Sequence, residues 1–148
     1  MKNFLLLILS IILFCMPALA VYKPVPKEFS KQYKNEIEKT VKYQIPIAKK
    51  SINSIFKEVK TEENSYIKTV TIEQGINSVI FDFYLALIDV TDKYINIKQD
   101  IQPTDWYGDL KVTISPYLND NHVDISKINS FLDYAQKKQI ELENKYKY

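Results

Sequence analysis

The chain has 148 residues, of which 46% are hydrophobic, with 20 basic and 18 acidic side chains and a formal net charge of +2. Every basic residue is a lysine, and nucleic-acid interfaces depend on concentrated Arg and Lys side chains, so the composition argues against nucleic-acid binding. The single cysteine, Cys15, lies in the apolar first segment. The rest of the chain therefore has no disulfide framework and must be stabilised by an ordinary hydrophobic core.

The first twenty residues have the pattern of a secretory signal peptide. Lys2 supplies the positive start, residues 4–14 are an apolar run, and residues 18–20 (ALA) place small side chains where a signal peptidase reads the chain. The run is shorter than the roughly 20 apolar residues of a membrane anchor. We therefore expect cleavage after Ala20 and export of residues 21–148 as a single domain, either to a periplasm or out of the cell.

The scarcity of glycine indicates the fold class. Only Gly75 and Gly108 occur, whereas β-sandwiches and barrels need a turn roughly every 8–12 residues, often with glycine. Few and long elements are expected, and we predict a mostly α-helical bundle of three to five helices. The alternative is an α+β domain in which residues 66–72 and 111–115 form a minor pair of strands.

Apolar side chains recur every three or four positions between residues 26 and 60, which predicts amphipathic helix. The stripe consists of Phe29, Tyr33, Ile37, Val41, Ile45, Ala48, Ile52, Phe56 and Val59. Pro46 lacks the N–H that a helix interior requires. The pattern therefore predicts either one helix kinked near residues 44–45 or two helices, the second of which begins at Pro46. Residues 61–65 form a polar connector.

Residues 76–90 (INSVIFDFYLALIDV) are the most apolar part of the exported chain. Read as a helix, this segment carries Ser78, Asp82 and Asp89 on one narrow stripe and apolar side chains on most of the remaining surface. Such a helix is buried on several sides. We predict that it is the centre of the fold. Residues 66–72 form either a strand or the beginning of this helix.

The last third of the chain predicts two shorter helices. Thr104 is a candidate cap for the first of them, and Asp124 is a candidate cap for the second, because short polar side chains accept hydrogen bonds from free N–H groups at a helix start. Residues 143–148 are expected to fray. One face of the final helix carries Ile128, Leu132, Ala135, Gln139 and Leu142.

The loop at residues 99–109 contains the candidate partner-binding site. Trp106 and Tyr107 are flanked by Asp105 and Asp109. Exposed aromatic side chains bury much surface on binding at a small entropic cost, and they often anchor protein partners. The structural alternative is that Trp106, at the junction of a loop and a helix, is tucked into the core.

No catalytic, cofactor-binding or metal-binding residues are predicted. His122 is the only histidine, it lies in a polar turn, and no Gly-x-Ser-x-Gly motif accompanies it. Asp82 and Asp89 would be roughly 10 Å apart along a helix, whereas glycosidase carboxylates are roughly 5–9.5 Å apart. Residues 119–126 do not place oxygen ligands at the positions of a calcium-binding loop.

The favoured function is therefore that of an exported, non-catalytic envelope or secreted protein that acts by contact with a protein or ligand, as an inhibitor or immunity protein does. One alternative is a cell-wall or carbohydrate hydrolase that uses Asp82, Asp89, Asp105 or Asp109. A second alternative is a membrane-surface or scaffolding protein that uses the lysine-rich helix at residues 27–60. The sequence leaves the partner and the oligomeric state open.

Overall fold

The computed structural model describes residues 22–146, which form α-helices and short 3₁₀ turns and contain no strand. The helices are α1 (Ser30–Thr61), α2 (Ser65–Ile95), α3 (Tyr107–Asp120) and α4 (Ser126–Tyr146). The 3₁₀ turns are Lys27–Phe29 and Ile97–Asp100. The predicted mostly α-helical bundle is confirmed for this part of the chain. The predicted signal peptide, residues 1–20, lies outside the described residues.

Helix α2 is the centre of the bundle, because it contacts each of the other three helices. Ser78, Asp82 and Asp89 are exposed, as the sequence pattern predicts. The buried residues of α2 occupy most of its remaining surface: Ile72, Ile76, Ile80, Phe83, Tyr84, Leu87, Ile88, Val90, Thr91 and Ile95. The prediction of a central helix buried on several sides is confirmed.

The α+β alternative is wrong for both of its segments. Residues 66–72 form the first turns of α2, and residues 111–115 lie within α3. Asn64 starts α2, because its Oδ1 accepts hydrogen bonds from the backbone N–H groups of Tyr66 at 2.9 Å and Ile67 at 3.2 Å. These bonds satisfy two of the four N–H groups that every helix start leaves free.

Helix α1 continues through Pro46 as a single helix, so the alternative of two helices is wrong. The kink near residues 44–45 stays a prediction. Pro46 is exposed, and water can therefore solvate the carbonyl group that the missing N–H leaves without a helical partner. The buried face keeps its phase across the proline: Tyr33, Ile37, Val41, Ala48, Ile52, Ile55 and Val59. Phe29, which the pattern places on this stripe, is instead 44% exposed.

Helices α1 and α2 form an antiparallel hairpin, since only residues 62–64 connect them. Gly75 lies at their contact, where an added Cβ would be 2.8 Å from Ile55 Cδ1. Helix α4 packs against both helices. Its Phe131 ring lies 4.8 Å from the ring of Phe83. The absence of a side chain at Gly75 lets α1 and α2 approach closely at Ile55.

The ends of α3 and α4 differ partly from the sequence expectation. Thr104 is not the cap of α3, because Trp106 occupies the N-cap position. His122 is exposed in the turn after α3 and has a left-handed backbone conformation, with φ of 53°. Asp124 Oδ1 accepts a hydrogen bond from Ser126 N at 3.0 Å, as expected for a residue that starts the final helix. Residues 143–146, predicted as part of a frayed tail, belong to α4.

A buried hydrogen-bond chain joins α1 to α2. Thr91 Oγ1 donates to the carbonyl oxygen of Leu87 at 2.9 Å, so the hydroxyl of Tyr33 donates to Thr91 Oγ1 at 3.0 Å. Burial raises the pKa of Tyr33 to about 12, and it raises the pKa of Tyr84 to about 12 as well. Both side chains are therefore neutral hydrogen-bond donors in the folded protein at physiological pH.

Replacing Leu87 tests the packing of α2. The Leu87 side chain is fully buried, so Leu87→Ala is expected to lower the free energy of unfolding by about 2–5 kcal/mol, through lost transfer energy and a residual cavity. Urea denaturation followed by circular dichroism measures this change. Val112→Ala is the control, because Val112 is 73% exposed and its replacement should change stability by no more than about 0.5 kcal/mol. Equal effects of the two variants would contradict the packing.

The buried tyrosines predict loss of stability at alkaline pH. The pKa of tyrosine in an unfolded chain is about 10, and those of Tyr33 and Tyr84 are raised to about 12 in the fold. Their contribution to stability is therefore complete below about pH 10 and is lost as the pH rises towards 12. Tyrosinate absorbance and circular dichroism, recorded together, should show the last tyrosines ionising as the helices unfold. Complete ionisation before any loss of helix would contradict this prediction.

Candidate functional site

Trp106 lies on the surface, where 57% of the residue is exposed. The alternative that it is tucked into the core is therefore wrong. Its ring centroid is 4.7 Å from that of Tyr107, with 62° between the ring planes, an edge-to-face arrangement of the kind that stabilises aromatic pairs. The indole also lies over Gly108, where an added Cβ would be 2.5 Å from Trp106 Cζ2. The exposed indole thus packs against the ring of Tyr107 and occupies the space that a side chain at Gly108 would fill.

The aspartates on either side of the aromatic pair shape the backbone. Asp105 Oδ2 accepts a hydrogen bond from Gln102 N at 2.8 Å, and Asp109 Oδ2 accepts one from Trp106 N at 3.0 Å. The second bond is half of a capping box, in which a residue in the first turn reaches back to the cap residue. Both carboxylates therefore position Trp106 and the start of α3.

Tyr107 is part of the lining of a cleft that the sequence does not predict. The cleft lies between α2, α3 and α4 and has a volume of about 300 Å³. Its lining combines apolar, aromatic and polar side chains: Ile80, Tyr84, Tyr107, Lys111, Leu132, Gln136 and Gln139. Tyr84 is only 2% exposed. The one sequence signal for this cleft is Gln139, a polar residue on the otherwise apolar face of the final helix.

The remaining candidate residues are not brought together. Asp89 Oδ1 is 2.6 Å from Lys98 Nζ in an exposed ion pair, and such pairs contribute little to stability. Asp82 is exposed beside α1, near Gln44 and Ile47. Within residues 22–146, no group of three or more His, Cys, Asp or Glu side chains is arranged to hold a metal ion.

The lysine-rich helix α1 uses its apolar stripe inside the bundle, so this stripe does not face outward. Beside it, α1 and α2 form an open groove of about 480 Å³ that includes Tyr43, Lys39 and Lys93. Glu36 on the groove accepts a hydrogen bond from the Tyr94 hydroxyl at 2.9 Å, which lowers the pKa of the Glu36 carboxyl. None of the helices in the described part combines the length and apolar character needed to cross a bilayer.

Comparisons of the chain with protein-family models, with characterised proteins and with solved structures gave no match.

Gly108→Ala tests whether the indole of Trp106 lies over Gly108. The new methyl group would overlap the Trp106 ring, so the ring must move, although alanine is otherwise favoured over glycine in a helix. Because the chain has a single tryptophan, its fluorescence reports this site alone, and we expect a changed emission maximum and a changed rate of quenching by iodide. Val112→Ala is the control and should leave both unchanged. Fluorescence identical to that of the wild type in Gly108→Ala would contradict the arrangement.

Proposed function

We propose that the mature chain is an exported, non-catalytic protein that acts by binding a partner protein in the cell envelope or outside the cell. The observation that carries this proposal is the exposed indole of Trp106, which packs against Tyr107 and over Gly108. Tryptophan is among the side chains most enriched at binding hot spots. A side chain that is already ordered loses less conformational entropy on binding.

The local hydrogen bonds support binding by contact over acid–base chemistry. Asp105 and Asp109 each accept a backbone N–H, and Asp89 pairs with Lys98. A glycoside hydrolase would need two of its carboxylates to face one bond of the substrate. The hydrogen bonds of Asp105 and Asp109 instead shape the loop and the first turn of α3, which is the role expected for residues that support a binding surface.

Export is supported by the signal-peptide pattern of residues 1–20 and by the contacts of the chain that follows. The ring of Tyr22 packs 5.1 Å from that of Tyr117, its hydroxyl donates to the carboxylate of Asp120, and Val25 is buried. These contacts are made by residues that follow the predicted cleavage site, so cleavage after Ala20 would leave them intact.

An inhibitor or immunity protein is the form of this function that the geometry favours. Such a protein can act by inserting an exposed anchor side chain into a cleft of its target. Trp106 stands at the start of α3 on a loop braced by two carboxylate–backbone hydrogen bonds. The helical bundle behind it supplies a stable base, since the buried residues form one continuous core.

Trp106→Ala should weaken partner binding by about tenfold or more, as expected for loss of a hot-spot residue worth at least about 1.4 kcal/mol. Partners are captured with the mature protein from its own envelope fraction, and the affinity of each purified partner is then measured for the wild type and the variant.

The matched control is Tyr66→Ala, which removes an exposed aromatic residue (74% exposed) at the start of α2 and should leave the affinity unchanged. Circular dichroism confirms that both variants are folded. Full-strength binding by Trp106→Ala, or turnover of peptidoglycan or glycans that is lost in Asp105→Asn or Asp109→Asn, would contradict the proposal.

A further inference from the structure

We propose that the cleft between α2, α3 and α4 binds a small organic carboxylate with an apolar ring or chain, whose carboxylate accepts a hydrogen bond from Tyr84 and pairs with Lys111. The proposal goes beyond the contact function of Trp106, because Trp106 is not among the residues that line the cleft. It assigns a second site of a different kind, one for a small molecule.

The hydroxyl of Tyr84 is the first reason for this assignment. Tyr33 and Tyr84 are the largest fully buried side chains of the described residues. The Tyr33 hydroxyl bonds to Thr91, whereas the Tyr84 hydroxyl makes no hydrogen bond to any residue between 22 and 146. Within residues 22–146, every fully buried side-chain oxygen or nitrogen has a hydrogen-bond partner. The Tyr84 hydroxyl has none, so it is not fully buried. The Tyr84 hydroxyl therefore opens onto the cleft that its side chain lines.

The protonation of Tyr84 determines what it can bind. An ordinary tyrosine, with a pKa of about 10, is already protonated at physiological pH, and burial raises the pKa of Tyr84 further, to about 12. The hydroxyl is therefore available to donate a hydrogen bond. Because the hydroxyl opens onto the cleft, a ligand acceptor that reaches it would take the place of water there. The complementary ligand group is consequently an electron-rich oxygen.

The charge of the lining selects an anion. Lys111 is the one ionic residue among the seven that line the cleft, and none of the seven is acidic. Gln136 and Gln139 add amide groups, and Gln139 Nε2 is engaged with Glu143 Oε1 at 2.8 Å, which leaves the Gln139 carbonyl and the Gln136 amide for other contacts. A carboxylate matches this set because it accepts hydrogen bonds from a hydroxyl and an ammonium group together.

The apolar part of the lining and the size of the cleft define the rest of the ligand. Ile80 and Leu132 contribute aliphatic surface, and Tyr107 contributes an aromatic ring. The volume of about 300 Å³ is at the lower end of small-molecule sites, which span roughly 300–1,000 Å³. The cleft therefore suits an aromatic or alicyclic monocarboxylate with about one ring.

Phenylacetate and its neutral isostere phenylacetamide are suitable probes. Titration of the ¹⁵N-labelled mature protein, followed by NMR, should give saturable shifts for phenylacetate at residues 80–84, 107–111 and 132–139. Phenylacetamide should bind about tenfold more weakly or not at all, because it lacks the charge that Lys111 neutralises. Cyclohexanecarboxylate should compete with phenylacetate for the same residues.

Variants assign the contacts. Tyr84→Phe removes only the hydroxyl and keeps the packed ring, so the fold is retained; it should weaken phenylacetate binding about fivefold or more, as should Lys111→Gln. Tyr43→Phe and Lys39→Gln are matched controls in the α1–α2 groove and should bind as the wild type does.

Three results would overturn the proposal: no saturable shift with any of the carboxylates, shifts confined to other surfaces, or equal affinity for phenylacetate and phenylacetamide. Loss of carboxylate binding in the cleft can be distinguished from loss of partner binding at Trp106. Trp106→Ala removes a neighbour of Tyr107 but none of the side chains that line the cleft, so it should still give saturable phenylacetate shifts. Tyr84→Phe should leave affinity for a protein partner unchanged.

Discussion

Burial of helix α2 is the constraint on which the other elements depend. From Ile76 to Ile95 it carries apolar side chains on most of its surface, and each square ångström of that surface left in water costs about 25 cal/mol. A single short helix is too small to bury this apolar surface of α2. Helices α1, α3 and α4 each pack against α2, and the exposed stripe of Ser78, Asp82 and Asp89 marks the side that they leave open.

The sequence predicts this arrangement well where periodicity is long and fails where local preference and tertiary packing differ. The polar stripe of α2 is readable because it extends over several turns. Residues 66–72 are ambiguous, since alternating β-branched and aromatic side chains favour strands locally. The Asn64 cap and the adjoining apolar helix decide the outcome. Trp106 as the cap of α3 is not predictable from residue preferences, because its indole has no acceptor for the N–H groups of the first turn. The bond seen at this helix start is the reciprocal one, from Trp106 N to the carboxylate of Asp109.

The Trp106 cluster and the cleft differ in the same way, because the first is made of sequence neighbours and the second of residues from three helices. Trp106, Tyr107, Asp105 and Asp109 are neighbours in the sequence, so their cluster was visible there, although the use of both carboxylates by the backbone was not. The cleft is assembled from three helices, with Tyr84, Lys111 and Gln136 far apart in the chain. Only packing around α2 brings them together, so the core that fixes the fold also creates the cleft.

Native-state hydrogen exchange measured by NMR tests the central role of α2 most directly. If the bundle is organised around this helix, its amides between residues 76 and 95 should exchange slowest of all, with an opening free energy equal to that of global unfolding. Amides of α1 close to Pro46 should exchange faster. Slowest exchange in another helix, with α2 opening well below the global free energy, would contradict the account.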